Sequence, residues 1–567
     1  MKLKPIAIAL AVLIIIALAA HVLIIASVAL VLVAAVAAFA WWAFWPHRKL
    51  PRHRSRHLRL RVHLRLHPGP GHARPTELHL HWGRFAAFRE SGRTRPSLTR
   101  WHRLTHPKSH SLLIGHTHWF HRLRVSIQEN GFVLGPPRFF KSALLSWLIL
   151  EAPGAVVSTS TKPDQYRLTA KARARRGPVY VFNPQAIGGI PSTIQWDPLE
   201  GCIVPATAIR RADAFSGAAS VGGTEDASFW QGKASDSMRS IFSAASLDGA
   251  DMTKVGDWAG GEVKQAVAIL YHAGRTREAE QLAKLDGEAQ KTAETIRMVL
   301  GRALGFLNDP ALAQAVMPAR GRGFDIDRFL LERGTLYLIA KGNGQDSTVG
   351  PLFAALADEI VHRATQLGSQ MEGGRLDPPL HLNLDEVTSI CPVPLPDWSA
   401  DAGGQGINIW SAFHGFAQLR RRWGEHGAQA VIDTTNVAIF MPGIKDAQTL
   451  SQVSDLCGTA AFDGKHEPVL TADMIRTLPK SFALAVRNNL HPVVFKVAAG
   501  WRHPEYRKLR RRPMAEQRSG AVVIAAAARP EPVQIELPVS EPVLTASSNG
   551  HRHVEGDEML LLRDGHQ

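Results

Sequence analysis

The chain has 567 residues, with 66 Lys or Arg against 49 Asp or Glu, which gives a formal net charge of +17. Its composition, 45% hydrophobic and 20% charged, excludes both a disordered chain and one embedded in a membrane throughout. The three cysteines, Cys202, Cys391 and Cys457, contain no CxxC pair. We therefore expect buried thiols in a reducing compartment, not a zinc ribbon or a disulfide framework.

The first segment, residues 5–46, contains no charged residue, which predicts that it is embedded in a membrane. As one helix it would be about 60 Å long, about twice the hydrocarbon thickness, so two passes that turn near His21 are favoured. Basic residues flank both ends, so a hairpin with both ends in the cytoplasm satisfies the positive-inside rule. A cleaved signal followed by one span is the alternative. Both topologies place the chain after residue 46 in the cytoplasm.

The next segment is strongly basic. Residues 46–124 contain 18 Lys or Arg and two acidic residues, so nearly all of the excess positive charge lies here. Apolar residues alternate with Arg or His over 57–67 and again over 77–82, which predicts a β-hairpin with one cationic face. Anionic lipid is the favoured partner of such a block beside a membrane, and nucleic acid is the second.

A phosphate-binding loop is predicted at residues 135–142. An apolar run, Gly131–Leu134, precedes GPPRFFKS, and an apolar helical stretch follows. In a P-loop of this order, backbone N–H groups cradle phosphate, the lysine neutralises phosphate oxygens and the serine hydroxyl reaches Mg²⁺. The pattern has glycine where this chain has Phe140, and a Cβ there obstructs a conformation that glycine permits. The candidate nucleotide-binding residues are Gly135, Pro136, Pro137, Arg138, Phe139, Phe140, Lys141 and Ser142.

Polar residues also follow two later strand-like runs. Leu380–Leu384 ends in Asp385 and Glu386, as in a Walker B strand, where the aspartate holds Mg²⁺ and the glutamate orients or deprotonates water. A single Asp-Glu pair could equally be a solvated loop. A further run, Ile407–Phe413, is followed by His414 and then by Gln418, which could sense the γ-phosphate. Parallel strands carry their carboxyl ends to one edge of a sheet, where ligands bind.

The remaining organisation predicts an α/β fold. Near-continuous apolar runs, typical of buried parallel strands, occur at 131–134, 155–159, 179–182, 335–340, 380–384, 407–412 and 437–440. The predicted domains are a transmembrane segment (1–46), a basic juxtamembrane region (47–124), a nucleotide-binding domain (125–211 and 321–505), an all-helical insertion (212–320) and a disordered tail (513–567).

This order of segments resembles the coupling-protein ATPases of type IV secretion and conjugative DNA transfer, the TraG-like family. The resemblance covers most of residues 83–500. It rests on the apolar N-terminal segment and on motifs that follow one another along the chain. These are VLGPPRFFKS (133–142), APGAVVSTSTKPD (152–164), GPVYVFNP (177–184), FWQGKASDSMRSIFSAA (229–245), NLDE (383–386), SAFHGFAQLRRRWG (411–424) and TLPKSFALAVRNNLHPVVFKV (477–497).

The resemblance implies a RecA-like P-loop ATPase that is anchored in the inner membrane by several passes, with its ATPase domain in the cytoplasm, and that forms a homo-hexamer. It would use ATP and Mg²⁺ to deliver DNA, single-stranded and bound to a relaxase, to components of a type IV secretion channel. The helical insertion would recognise the substrate.

The resemblance also implies roles for single residues. Lys141 and Ser142 would bind phosphate and Mg²⁺, Asp385 would hold Mg²⁺, Glu386 would activate water and Gln418 would sense nucleotide. His414 stands where the family more often has Gln. Because Phe140 replaces the P-loop glycine, a nucleotide-binding but hydrolysis-dead membrane scaffold is a second hypothesis. An FtsK-like translocase, which would carry a C-terminal winged-helix module, is a third.

Overall fold

The computed structural model describes residues 26–37, 70–118, 121–219, 227–287, 290–341, 348–462 and 464–510. The rest of the predicted transmembrane segment, the predicted strand at 57–67 and the predicted tail at 513–567 lie outside the described residues. Residues 26–37 form a helix, α1, and all of them are exposed. Across the described ranges, no helix combines the length and the apolarity that a membrane span requires.

Eleven strands of the described chain form one mixed sheet, and two more form a separate hairpin. The strands are β1 (Ser111–His118), β2 (His121–Ser126), β3 (Gly131–Leu134), β4 (Val156–Ser160), β5 (Val179–Phe182), β6 (Thr335–Ile339), β7 (Leu380–Leu384), β8 (Ile407–Phe413), β9 (Val437–Phe440), β10 (Thr459–Phe462), β11 (Lys465–Pro468), β12 (Phe482–Arg487) and β13 (Val493–Val497). The order in the large sheet is β2-β1-β13-β12-β9-β3-β8-β7-β4-β6-β5, and β10 pairs with β11.

The larger part of this sheet is parallel. Neighbouring strands from β9 to β5 run parallel, whereas β12, β13, β1 and β2 extend the sheet antiparallel from β9. Every residue of β3, β4, β6, β7, β8 and β9 is buried. Such strands must be covered on both faces, which explains why they read as continuous apolar runs. The predicted α/β class with a large parallel sheet is confirmed.

Helices cover the sheet and fill its connections. The helices after α1 are α2 (Pro75–His81), α3 (Arg84–Thr94), α4 (Arg100–Thr105), α5 (Lys141–Glu151), α6 (Asp164–Arg173), α7 (Pro205–Ala218), α8 (Ala227–Asp248), α9 (Met252–Gly260), α10 (Lys264–His272), α11 (Thr276–Gly287), α12 (Gln290–Ala303), α13 (Pro310–Ala315), α14 (Ile326–Leu331), α15 (Gly350–Ser369), α16 (Val387–Ile390), α17 (Leu395–Asp401), α18 (Phe416–Thr434), α19 (Ala447–Leu456), α20 (Ala472–Arg476) and α21 (Pro504–Arg510).

Successive residues of the central strands face two different cores, as the pleat of a strand requires. In β3, Phe132 and Leu134 belong to one hydrophobic cluster, together with residues of α15 and α18. Val133 belongs to the other cluster, together with Leu144 and Leu148 of α5. The helix that follows the predicted phosphate-binding loop therefore covers one face of the sheet, and α15 and α18 cover the opposite face.

The described residues between β5 and β6 are helices and loops, from α7 to α14. This region contains the predicted insertion at 212–320, and its first helix begins at Pro205. Its buried aromatic residues, such as Phe215 and Phe242, share one hydrophobic cluster with Phe182 of β5 and Leu352 of α15. The helical region is therefore packed directly onto the sheet.

Two predictions about the basic segment are wrong. Residues 77–82 do not form a strand, because Pro75–His81 is the helix α2. Leu78 and Trp82, four residues apart, are both buried, whereas Leu80 between them is exposed. Burial therefore follows the spacing of a helix and not the alternation of a strand. The nucleotide-binding domain was also predicted to begin at residue 125. Its sheet begins earlier, because β1 and β2 join it through β13.

Candidate nucleotide-binding site

The predicted phosphate-binding loop connects β3 to α5. Gly135 lies against Met441, the residue that follows β9, and an added Cβ would come within 2.5 Å of the Met441 Cβ. Pro136 is partly exposed, and Pro137 and Arg138 are exposed. Phe139 packs against the core cluster that α5 contributes to.

Phe140 adopts a left-handed backbone conformation, for which the P-loop pattern has glycine. It is the N-cap residue of α5, with φ 60° and ψ 4°. Arg138, two residues earlier, also has a positive φ of 69°. A left-handed residue at this point turns backbone N–H groups of a loop toward a common concave surface, as in anion-binding nests. Phe140 thus adopts this conformation despite its Cβ, whereas the expected obstruction of close phosphate approach stays a prediction.

Lys141 is buried at the start of α5. Its Nζ donates to the Gly135 carbonyl oxygen and to Nδ1 of His414, both at 2.6 Å. Burial lowers the pKa of this ammonium group, and the carboxylates of Glu386 and Asp385 oppose that shift. The cation thus lies between the loop and the end of β8, close to both carboxylates of the predicted Walker B pair.

Ser142 and Asp385 are joined directly. The Ser142 hydroxyl donates to Oδ2 of Asp385 at 2.9 Å, and Nε2 of Gln165 on α6 donates to the same oxygen at 3.0 Å. The Thr159 hydroxyl fixes the Asp385 backbone by donating to its carbonyl oxygen at 2.8 Å. Burial, followed by the charge of Glu386, raises the pKa of the Asp385 carboxyl. A buried carboxylate in this position favours a nearby cation.

Glu386 and His414 form the outer part of the cluster. Glu386 has a left-handed backbone, with φ 54° and ψ 40°, and its Oε1 lies 3.0 Å from Nε2 of His414. Because Nδ1 of His414 accepts from Lys141, these contacts assign the tautomer in which Nε2–H donates to Glu386. Burial alone would raise the pKa of Glu386, but the hydrogen bond from His414 and the charges of Lys141 and Lys162 lower it.

Gln418 contacts this cluster through the backbone of His414. Its Oε1 accepts from the backbone N–H of His414 at 2.8 Å, so it holds the turn between β8 and α18. Among the arginines that follow it, Arg420 pairs with Glu425. Arg422 donates to the carbonyl oxygens of Gly217, at 3.2 Å, and Ala218, at 2.5 Å, at the end of α7.

The structure adds residues that the sequence analysis did not select. Gln165 and Thr159 contact Asp385, and Asn383 donates to Oε1 of Gln165 at 2.9 Å. Trp501 places its ring 5.4 Å from that of Phe140. Gln165 directly follows the quoted motif APGAVVSTSTKPD, so its place after β4 was a usable signal. Nothing in the sequence around Trp501 indicated its contact with the loop.

These residues fit magnesium and a phosphate group. A lysine and a serine occupy the first two positions of α5, where helix N-termini favour anions. The Ser142 hydroxyl and the Asp385 carboxylate are oxygen donors, which Mg²⁺ prefers. Within the described residues, no group of three or more His, Cys, Asp or Glu side chains could hold a metal ion.

Comparisons with known proteins bear on the same region. A sequence profile described as the TraM recognition site of TraD and TraG matches residues 379–480. That range starts at β7 and includes Asp385, Glu386, His414 and Gln418. The chain resembles the TraG/TraD coupling proteins. The resemblance predicted from the sequence is thereby confirmed. A search of curated proteins gave no match.

Solved structures of a coupling protein share the fold. The bacterial conjugative coupling protein TrwBdeltaN70, in its unbound monoclinic form, is 18% identical, with a TM-score of 0.51, and the match covers 67% of this chain and 87% of that chain. TrwB in complex with the GTP analogue GDPNP is 16% identical, with a TM-score of 0.51 and coverages of 67% and 88%. TrwB with ADP and Mg²⁺ is 18% identical, with a TM-score of 0.50 and coverages of 67% and 87%. At this identity the likeness shows a common fold.

Proposed function

We propose that this TraG/TraD-like chain is a membrane-anchored, ATP-driven coupling protein that recruits a DNA–protein substrate and delivers it to a type IV secretion or conjugation channel. The observation that carries the proposal is the direct hydrogen bond between Ser142 and Asp385. It joins the predicted phosphate-binding loop to the predicted Walker B strand, with Lys141 and Glu386 beside it. The proposal draws on the resemblance for the substrate and on this cluster for the chemistry.

Each residue of the cluster has a role that follows from its contacts. Ser142 and Asp385 would hold Mg²⁺, and Lys141 would bind phosphate oxygens of the nucleotide. Bound MgATP supplies the phosphoryl group that is transferred to water. Glu386 has a lowered pKa and is therefore ionised at neutral pH, so it can accept a proton from water. His414 orients Glu386 through Nε2, and Gln418 holds His414 in place.

The remaining parts of the proposal rest on the sequence and on the resemblance. The apolar segment within residues 1–46 would anchor the chain in the inner membrane, with the sheet in the cytoplasm. The chain would assemble as a homo-hexamer, and its helical region between β5 and β6 would contact the substrate. The profile match at 379–480 makes a TraM-like protein of the DNA-processing complex a candidate partner.

Transfer of DNA between cells tests the proposal. Glu386→Gln should keep MgATP binding but reduce transfer by at least about 100-fold, because general-base catalysis contributes about 10² to 10⁴. The matched control is Glu332→Gln, which alters an exposed glutamate in a remote pair with Arg328. Undiminished transfer by Glu386→Gln, with MgATP bound, would instead support the hydrolysis-dead scaffold.

A further inference from the structure

A short segment after β13 runs along the helix of the phosphate-binding loop. We call Gly500, Trp501, Arg502 and His503 the strap. Nε2 of His503 lies 3.2 Å from Oε1 of Glu151, at the carboxyl end of α5, and its ring contacts that of Trp147 at 4.6 Å. Gly500 contacts the middle of α5 so closely that a Cβ there would be 2.7 Å from the Ser146 Cβ. The strap is therefore fixed against α5 along most of its length.

The strap places Trp501 beside the amino end of the same helix. The ring of Trp501 lies 5.4 Å from the ring of Phe140, at an interplanar angle of 55°. Phe140 directly precedes Lys141, so the indole stands one residue from the predicted phosphate ligand. Trp501 is nevertheless 43% exposed, although Gly500 and His503 pack against α5. The residue is therefore open enough to contact a ligand.

The chemistry of a nucleotide explains why a phosphate-binding lysine and an exposed aromatic ring lie so close together. Its phosphates need cations and N–H donors, which Lys141 and the start of α5 provide, whereas its base is a flat aromatic group that binds by stacking. An indole ring offers a wide stacking surface, and aromatic stacking tolerates different bases because each of them has a π-face. Phe140 supports the indole from the side of the loop, a contact that a glycine at this position could not make.

We propose that Trp501, held by the strap and supported by Phe140, is the stacking residue for the base of the bound nucleoside triphosphate. This inference rests on the proposed function, because it assumes that the loop binds the phosphates. The site should bind a nucleoside triphosphate more tightly than the phosphate chain alone, because the base stacks on the indole. Stacking does not distinguish adenine from guanine, because each has a π-face, so ATP and GTP should bind with similar affinity.

The test compares MgATP with magnesium tripolyphosphate, which has the phosphate chain but no base. Dissociation constants are measured with the full-length protein in detergent or native membranes. Trp501→Ala should weaken MgATP binding by about 5- to 150-fold, the range that corresponds to about 1–3 kcal/mol of stacking. It should leave tripolyphosphate binding unchanged, which also shows that the variant is folded. Trp501→Phe should restore most of the MgATP affinity.

The control is Trp101→Ala, which removes a 73% exposed tryptophan on α4 and should change neither constant. Equal weakening of both ligands by Trp501→Ala would overturn the inference and make Trp501 a support of the loop. Unchanged MgATP affinity would also overturn it, and a loss confined to single-stranded DNA binding would assign the ring to DNA. If the unaltered chain bound neither ligand, the proposed function itself would fail.

Discussion

Phe140 shows how one residue can keep a glycine-like backbone. A left-handed conformation costs a residue with a Cβ about 1–2 kcal/mol, and the contact with Trp501 offsets part of that cost. We expect Phe140→Gly to be more stable than Phe140→Ala by about 1 kcal/mol, because both lack the ring and they differ only by the Cβ. Chemical denaturation of the two variants measures this difference. Equal stability would mean that residue 140 is not left-handed.

His414 sets the ionisation of Glu386. Removing its hydrogen bond in His414→Ala should raise the pKa of Glu386, because that bond favours the charged carboxylate. The protonated fraction of Glu386 then increases at a given acidic pH. The acid limb of the pH–rate profile for ATP hydrolysis should therefore move to higher pH. His414→Gln, which can still donate to Glu386, is the matched variant and should shift the limb less. An unmoved acid limb in His414→Ala would rule out this role.

The sequence predicted the residues that follow buried strands, because the edge of a parallel sheet brings strand ends together. Lys141, Ser142, Asp385 and Glu386 are adjacent in the structure for that reason, although whether they bind nucleotide stays a prediction. Gln165 reaches Asp385 across a separation of 220 residues, and such a contact depends on how α6 packs. Side-chain contacts between separate elements cannot be read from local spacing.

At the scale of elements, Glu151 anchors the carboxyl end of α5. This fully buried carboxylate lies 3.0 Å from Lys108, 3.5 Å from Arg124 and 3.2 Å from His503. Burial alone would raise its pKa, but the hydrogen bond from His503 and the two cations lower it from 4.5 to about 2. Two cations of the basic segment, Lys108 and Arg124, thus pair with a buried carboxylate inside the fold.

Glu151→Gln should therefore destabilise the protein in a pH-dependent way. Because the folded pKa lies below the unfolded one, ionised Glu151 stabilises the fold above pH 4.5, by about 3 kcal/mol. This contribution is lost as the pH falls toward 2, so the destabilisation should be about half as large at pH 3 as at pH 7. Urea denaturation measures it. Glu332→Gln should change little at either pH, and a pH-independent loss in Glu151→Gln would contradict the account.

The close approach of the strap to α5 predicts opposite effects for two glycine substitutions. Gly500→Ala places a Cβ 2.7 Å from the Ser146 Cβ and 2.8 Å from a Leu168 methyl group, so it should destabilise by about 1–3 kcal/mol. Gly232→Ala, within α8, meets no atom within 4 Å and should stabilise by about 0.5–1 kcal/mol. Thermal unfolding of both variants measures the effects. A neutral Gly500→Ala would mean that the strap does not lie on α5.

The predicted strands of the parallel sheet agree with the structure because continuous burial leaves a clear apolar signal. The helix α2 was missed because alternation over six residues fits a strand as well as a helix, and Leu78 and Trp82 decide between them only through burial. The strands β1 and β2 were missed for a related reason. Their many Arg and His residues suggested a solvated surface, whereas Arg124 is buried against Glu151.

At the scale of the whole molecule, the sheet connects the basic segment, the cluster around Lys141 and the helical region. Lys108 and Arg124 contact the carboxyl end of α5, and Phe140 and Lys141 lie at its amino end. The helical region packs onto the opposite face through α15, which shares its core. Sequence order and the family resemblance supplied this organisation, but only the packing shows that the strap and the basic segment both contact α5.

ATP hydrolysis by the full-length protein tests the central claim most directly. Turnover would be measured in membranes, with Mg²⁺, with and without single-stranded DNA, for the unaltered chain, Lys141→Ala, Glu386→Gln and the control Glu332→Gln. The account predicts DNA-stimulated turnover that is lost in Lys141→Ala and Glu386→Gln and kept in the control. Turnover that persists in Lys141→Ala, or an unaltered chain that binds MgATP without hydrolysing it, would contradict the account.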